Sequence, residues 1–272
     1  MASDDVVLYE VRDGVALVTL NRPDRMNAWT GEMEDRYFDL LERAEADRDV
    51  RAVVVTGAGR GFCPGADMDL LQEIGGGGGV GGAGARRPVT LPLSIRKPLI
   101  GAINGACAGV GLVQALMFDV RFAAAGARMT TAFARRGLIA EYGVSWLLPR
   151  LVGTSRALDL LVSARVFTAE EALELGLVNH VRPADEVVEA AMTYAADLAA
   201  SCSPASMAAI KHQVYAHASV DVATALAQSD GYMRQSLRGP DFKEGVASYL
   251  EKRLPAFAPL GEGTEIDVAG PA

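Results

Sequence analysis

The sequence contains few of the residues that build disulfide frameworks or metal sites. Its 272 residues include three cysteines and three histidines. The cysteines, Cys63, Cys107 and Cys202, are odd in number, widely spaced and form no C-x-x-C pair, so neither a disulfide scaffold nor a structural zinc site is expected. The histidines match no metal-binding spacing. We therefore expect no metal cofactor.

Positive charge and long apolar runs are also scarce. The chain has 26 basic and 34 acidic residues, a net charge of −8, which is unfavourable for general binding to nucleic acid or anionic membranes. No apolar run approaches the roughly 18 residues of a membrane-spanning helix. The acidic start, Met1 to Asp5, lacks the features of a secretory signal. The sequence predicts a cytoplasmic protein that binds neither nucleic acid nor membrane.

Short strands alternate with helices up to about residue 200. Val6 to Glu10 and Val15 to Leu20 predict a hairpin around Asp13-Gly14. The continuously apolar runs Ala52 to Thr56 and Leu99 to Ile103 are typical of strands that are covered on both faces. This repetition of strand, helix and strand predicts an α/β fold with parallel sheets.

The strand signal ends near residue 185, and helices follow. Four are predicted: Asp185 to Ala200, Pro204 to Ala218, Asp221 to Leu237 and Asp241 to Leu250. We therefore divide the chain into an α/β body, residues 1–200, and a helical C-terminal region, residues 201–272. The glycine-rich stretch Gly75 to Ala85 lacks the ending of a phosphate-binding loop and predicts a mobile loop.

Two glycine-rich segments, residues 61–68 and 104–111, are candidates for a reaction site. In each, glycines permit tight turns and close approach of a ligand, and a predicted helix follows. The first turn of a helix exposes backbone N–H groups without partners. If the segments face each other, two such groups could hold one developing oxyanion. On these residues alone, ordinary strand-to-helix turns explain the two segments more simply.

Five motifs occur in one order across residues 6–257. They are Leu20-Asn21-Arg22-Pro23 with Asn27-Ala28, Gly61 to Met68, Lys97 to Gly105, Gly137 to Gly143 leading to Leu148 to Gly153, and Ala172 to Val178. In these motifs the chain resembles the crotonase family, also called the enoyl-CoA hydratase/isomerase family. The resemblance implies a crotonase-like spiral of ββα units with a helical C-terminal trimerisation region, assembled as a homotrimer or a hexamer. It also implies an acyl-CoA thioester substrate and no separate cofactor, since coenzyme A is part of the substrate.

The resemblance further implies roles for particular residues. The oxyanion hole falls on the backbone N–H groups of Ala66 and Val110. The family usually has glycine at the second position; valine keeps the N–H, but its side chain would narrow the site. Contacts with coenzyme A or the acyl group fall on seven residues: Arg25, Met26, Ala28, Asp67, Met68, Tyr249 and Lys252. For Tyr249 and Lys252, which would reach a neighbouring subunit's nucleotide, core packing and a solvated surface are equally good explanations. Asp67 is also expected to cap a helix.

The acid–base groups decide the reaction. Both glutamates of typical family hydratases fall on other residue types, Val113 and Phe133. Glu141 instead matches the catalytic acid of family members that move a double bond, the peroxisomal-type Δ3,Δ2-enoyl-CoA isomerases. One carboxylate can take a proton from C2 and return it at C4. We therefore expect isomerisation with Glu141 as the proton shuttle, and burial among Phe133, Leu138 and Trp146 would raise its pKa.

Other functions remain open on the sequence. Hydration of a 2-enoyl-CoA would need a second, unidentified group beside Glu141. A less usual thioester reaction, such as hydrolysis or ring chemistry, comes third. Two features favour a catalytically silent acyl-CoA-binding protein: both hydratase glutamates are lost, and position 110 is a valine. Retention of Glu141 argues against such a protein. The loop Gly75 to Ala85 follows Ala66 closely enough to serve as a flap over the acyl end.

Overall fold

The computed structural model describes residues 5–76, 87–261 and 263–268. Its strands, in chain order, are β1 (Val7–Arg12), β2 (Val15–Leu20), β3 (Ala52–Gly57), β4 (Gly61–Cys63), β5 (Leu99–Ile103), β6 (Ala106–Ala108), β7 (Val120–Ala124), β8 (Arg128–Thr130), β9 (Phe167–Thr168) and β10 (His180–Arg182). Its α-helices are α1 (Gly31–Ala46), α2 (Met68–Gly75), α3 (Val110–Leu116), α4 (Val144–Val152), α5 (Thr154–Ser163), α6 (Ala169–Glu174), α7 (Val187–Ser201), α8 (Pro204–His217), α9 (Val222–Ser236) and α10 (Pro240–Glu251).

The larger sheet contains six strands in the order β1-β2-β3-β5-β7-β10. The predicted hairpin opens it: β1 and β2 are antiparallel, and Asp13 and Gly14 turn with φ of 51° and 75°. Every later pair in this sheet is parallel. All residues of β3 and β5 are buried, as expected for strands covered on both faces. The prediction of an α/β fold with parallel sheets is confirmed.

The smaller sheet positions the two glycine-rich segments. Its order is β4-β6-β8-β9, and β4, β6 and β8 run parallel. The chain moves from the larger sheet to the smaller one and then into a helix: β3, β4 and α2 form one such unit, and β5, β6 and α3 form the next. This is the ββα repeat that the resemblance to the crotonase family implied. Because successive units stack in parallel, their strand-to-helix turns lie at the same edge.

The four predicted C-terminal helices are all present as α7 to α10, with ends within two residues of the predicted ones. Strand β10 begins only at His180, because the Val178 N–H bonds to Ala172 O instead of a neighbouring strand. Helix α8 is tied to the body where Lys211 Nζ lies 2.7 Å from Asp119 Oδ2. No described helix is both long enough and apolar enough to cross a membrane.

Candidate active site

The two glycine-rich turns lie against each other. In the parallel pair of β4 and β6, Cys63 stands opposite Cys107. Just beyond these strands, a methyl group built on Gly65 would lie 3.3 Å from Ala108 O, and one built on Gly109 would lie 3.6 Å from Gly65 Cα. The segments that the sequence singled out therefore meet in space.

The residue after each of these two glycines has an unused backbone N–H group. Trp29 bridges the first turn, where its N–H donates to Gly65 O at 2.8 Å and its carbonyl accepts from Asp67 N–H at 2.9 Å. These two hydrogen bonds do not involve the Ala66 N–H. Val110 is the first residue of α3, whose N–H has no acceptor within the helix. Among the described residues, neither N–H has a protein acceptor.

Glycine is required at these turns for two physical reasons. Gly65 has φ of 108° and Gly109 has φ of 50°, conformations that residues with a side chain rarely adopt. Gly111 has a different constraint, because a methyl group there would lie only 2.4 Å from Cys63 O. The start of α3 can approach β4 this closely only without a side chain at position 111.

Arg22 and Asn27 of the first sequence motif form hydrogen bonds that hold the first glycine-rich turn in place. The Arg22 guanidinium donates to Asp67 Oδ2 at 2.9 Å and to Ala28 O at 2.6 Å. The fully buried Asn27 accepts from Arg22 N–H at 2.9 Å and donates to Gly61 O at 2.8 Å. Sequence reasoning quoted Arg22 and Asn27 only as motif residues and missed these contacts. The sequence held one indication that Arg22 and Asn27 matter, namely that both belong to the first motif.

Asp67 has a structural role in this arrangement. Its carboxylate is buried, pairs with Arg22 and accepts the Asp69 N–H at 3.1 Å, so it caps α2 as expected. The hydrogen bond from Asp69 and the Arg22 cation lower the pKa of Asp67. The further expectation, that Asp67 contacts substrate, stays a prediction. Met68, the first residue of α2, is exposed.

Glu141 lies just before α4, the helix that packs against α3. The chain turns sharply after it, because Tyr142 and Gly143 have φ of 53° and 77°. The Glu141 carboxylate is half-buried, and no described residue forms an ion pair or hydrogen bond with it. Burial raises its pKa. A desolvated carboxylate without a partner suits the transfer of a proton.

The direction of the Glu141 pKa shift agrees with the expectation that burial would raise it. Of the three apolar residues expected around the carboxylate, Phe133 is buried, whereas Leu138 and Trp146 are 41% and 37% exposed. Trp146 packs its indole under the Arg150 guanidinium, 3.8 Å from the ring centre.

The two positions where family hydratases are expected to carry glutamates contribute no polar group. Val113 and Phe133 are both buried apolar residues. Gln114, next to the first position, is also buried and donates through Nε2 to Val89 O at 3.2 Å. Neither position supplies a carboxylate to accompany Glu141.

A contact between Trp29 and Glu34 was missed at the sequence level. The Trp29 indole Nε1 donates to Glu34 Oε2 at 2.9 Å. Burial, the Glu141 charge and the Glu34 charge together raise the pKa of Tyr142, so the two carboxylates act on one phenol. A tryptophan and a glutamate five residues apart across a helix start form no motif, and nothing in the sequence marked this pair.

The predicted coenzyme A contacts fall into two groups. Arg25 pairs with Asp69 at 3.1 Å across the first turn, close to Met26 and Ala28 in sequence. Tyr249, 83% exposed, and Lys252, at the end of α10, are joined to the two turns by no described contact. The predicted flap, Gly75 to Ala85, falls almost entirely on residues 77–86, which lie outside the described residues.

The cysteines near the site are not reactive groups. Cys63 and Cys107 are buried free thiols, and burial raises the pKa of Cys63 to about 12. Since the thiolate is the nucleophile, such a cysteine is inert at neutral pH. In the described parts of the chain, no three His, Cys, Asp or Glu side chains gather as metal ligands would.

Fold and site together define a crotonase-fold protein. A family model described as enoyl-CoA hydratase/isomerase matches residues 10–259. The chain belongs to this family, and the resemblance predicted from the five motifs is confirmed.

Similar proteins share most of the chain. The 1,2-epoxyphenylacetyl-CoA isomerase of Escherichia coli is 34% identical, covering 93% of this chain and 98% of its own length. The probable enoyl-CoA hydratase EchA14 of Mycobacterium tuberculosis is 43% identical, over 74% of this chain and 78% of its own. A solved structure of a probable enoyl-CoA hydratase/isomerase from Mycobacterium abscessus has a TM-score of 0.86 at 31% identity, covering 93% and 98% of the two chains.

The close approach of the two turns predicts the effect of Gly111→Ala. The added methyl group forces β4 and α3 apart, which we expect to lower the free energy of unfolding by about 1–3 kcal/mol. Urea unfolding followed by circular dichroism measures this. Gly231→Ala is the control, since its methyl group would meet nothing nearer than 4.0 Å within α9. Equal unfolding midpoints for both variants would contradict the close approach.

Proposed function

We propose that the protein is an enoyl-CoA isomerase that moves a double bond within an acyl-CoA thioester. One observation carries the proposal. Glu141 has a half-buried carboxylate with a raised pKa and no partner. It precedes α4, the helix that packs against α3, and α3 begins with the second N–H donor, Val110. The hydratase positions, Val113 and Phe133, are apolar and buried, which supports a reaction that needs only one acid–base group.

The two backbone donors would act on the thioester oxygen. As a proton leaves C2, negative charge develops on that oxygen, and the N–H groups of Ala66 and Val110 would stabilise it. The donors are fixed in place before the reaction, so no reorganisation is needed as the charge forms. In other enzymes, loss of one such donor raises the barrier by roughly 3 kcal/mol. This pair would thus supply much of the rate enhancement.

Glu141 would move the proton. Its carboxylate takes a proton from C2 of a 3-enoyl-CoA, and the electron pair spreads into a dienolate over the thioester oxygen, C2 and C4. The neutral carboxyl group then returns the proton to C4, which places the double bond between C2 and C3. Because one group acts first as base and then as acid, a pKa nearer neutrality favours both steps.

Hydration of a 2-enoyl-CoA is the second candidate. It is favoured by the 43% identity to a protein named as a probable enoyl-CoA hydratase. It would need a second group to position or activate water beside Glu141. The relative named 1,2-epoxyphenylacetyl-CoA isomerase supports isomerisation of an acyl-CoA thioester as the type of reaction. The acyl group in its name differs from the enoyl group proposed here.

The decisive experiment compares 3-enoyl-CoA and 2-enoyl-CoA as substrates for the wild type and for Glu141→Gln. We expect isomerisation in the wild type and a loss of kcat of about 10²- to 10⁴-fold in the variant, the usual contribution of a general acid–base group. Glu174→Gln, an exposed glutamate on α6, is the matched control and keeps wild-type kcat. Product analysis by chromatography separates isomer from hydrate.

Three other outcomes of this experiment would each contradict a part of the proposal. Hydration without isomerisation would favour the second candidate and a second acid–base group. Binding of both thioesters without turnover would indicate a silent acyl-CoA-binding protein. Isomerisation unaffected by Glu141→Gln would reject Glu141 as the proton shuttle.

The pH dependence follows from the environment of Glu141. Glu141 must be ionised to accept the C2 proton, and burial raises its pKa above the ordinary 4.5. We therefore expect kcat/KM to fall as the pH is lowered through a value above 4.5. Circular dichroism over the same range checks that the protein stays folded. An acid limb at or below 4.5 would contradict the desolvated carboxylate.

We further propose that coenzyme A is held between subunits of a homotrimer or hexamer. Arg25, Met26, Ala28 and Met68 would contact it from one chain, and Tyr249 and Lys252 from a neighbour. Exposed apolar side chains support this assembly, since α9 buries none of its residues and exposes three large ones, Val222, Leu226 and Met233, and Leu237 just after the helix is also exposed. A surface of this kind usually marks an interaction site.

Sedimentation velocity tests the assembly with Leu226→Glu. The new charge would lie in the apolar interface, so we expect the trimer or hexamer of the wild type to dissociate. Val11→Glu introduces the same charge on β1, outside the C-terminal helices, and should leave the mass unchanged. A wild type that sediments as a single chain would contradict the proposal.

A further inference from the structure

Glu34 is a carboxylate that the proposed reaction does not use. It lies in the first turn of α1, after the Thr30 cap, where acidic residues often face solvent. Here its side chain is half-buried, and Oε2 accepts the Trp29 indole N–H at 2.9 Å. In the described parts of the chain, no cation pairs with it. Its polar contact is therefore the indole, through a charge-assisted hydrogen bond.

Trp29 connects this carboxylate to the first oxyanion donor. Its backbone bonds to Gly65 on one side of Ala66 and to Asp67 on the other. The indole is buried and packs edge-on against Tyr37, with ring centres 5.6 Å apart. One residue thus holds both neighbours of Ala66, and its ring is fixed by packing and by Glu34.

We propose that Glu34 is a positioning residue of the oxyanion hole, which acts through Trp29 to fix the direction of the Ala66 N–H. Without its acceptor, the buried indole N–H is unsatisfied and the ring must move to reach water. The Trp29 backbone would move with it, and Ala66 N–H would lose its alignment. The inference rests on the proposed function only in assigning an oxyanion to Ala66, a role that isomerisation and hydration share.

Three variants separate this role from a catalytic charge. Glu34→Gln keeps a carbonyl oxygen for the indole, Glu34→Ala removes the acceptor, and Trp29→Phe removes the donor. We expect kcat for the thioester that the wild type turns over to stay within about threefold in Glu34→Gln. It should fall roughly 10- to 100-fold in the other two with little change in KM, the scale of a small misplacement. The double variant Glu34→Ala with Trp29→Phe should be no worse than either single one.

A binding measurement makes the test independent of turnover. A 3-ketoacyl-CoA such as acetoacetyl-CoA can bind as its enolate, whose ultraviolet absorbance reports the charge held at the oxyanion hole. We expect Glu34→Ala to reduce the bound enolate fraction several-fold, and Glu34→Gln to retain it. Glu32→Ala, an exposed glutamate in the same helical turn, is the control and should match the wild type. Thermal unfolding by circular dichroism confirms that each variant is folded.

Two results would overturn the proposal. If Glu34→Gln is as defective as Glu34→Ala, the negative charge itself is needed and Glu34 acts as an acid–base or electrostatic group. If Glu34→Ala keeps both wild-type kcat and the wild-type enolate fraction, the contact serves only to pack the start of α1. Failure of isomerisation in the wild type leaves the enolate measurement intact, so the two proposals fail separately.

Discussion

The whole site depends on the contact between two backbones, residues 63–65 of the first turn and residues 108–111 of the second. No side chain fits between them, because a methyl group on Gly111 would lie 2.4 Å from Cys63 O. This contact places the start of α3 against the smaller sheet and so sets the position of the Val110 N–H relative to Ala66. Since protein interiors repack in discrete steps, a wider residue there would displace the donor as well as cost stability.

Two residues of the first motif, and the tryptophan that follows it, hold this contact from one side. Arg22, Asn27 and Trp29 all bond to the segment between Gly61 and Asp67, through a partly buried ion pair, a buried amide and a backbone bridge. Hydrogen bonds to charged groups are worth more than those between neutral groups, so the Arg22–Asp67 pair is the strongest single link. The first motif therefore supports the turn that carries the Ala66 N–H, as well as being a predicted contact for coenzyme A.

Local patterns explain which parts of this structure could be predicted. The hairpin, the buried strands β3 and β5 and the four last helices all follow from signals within a few residues. The donors Ala66 and Val110 came from family resemblance, because spacing alone suited an ordinary turn equally well. The Arg22–Asp67 and Trp29–Glu34 contacts could not be predicted, because each depends on how distant or oddly spaced side chains meet.

The turn at Glu141 and Tyr142 departs from two local rules at once, and that combination is characteristic of functional sites. The Glu141 carboxylate is desolvated without a cation or donor, and the next residue, Tyr142, has the left-handed φ of 53°. A raised pKa means that the folded protein favours the neutral acid, so stability is lost as the pH rises through that pKa. At neutral pH the folded protein therefore carries the free-energy cost of a desolvated Glu141 carboxylate. Asp67 is also a carboxylate, but Asp69 and Arg22 lower its pKa. The two carboxylates thus have opposite pKa shifts: Asp67 is held in its charged form by the contacts that fix the turn, and Glu141 is left desolvated without a partner.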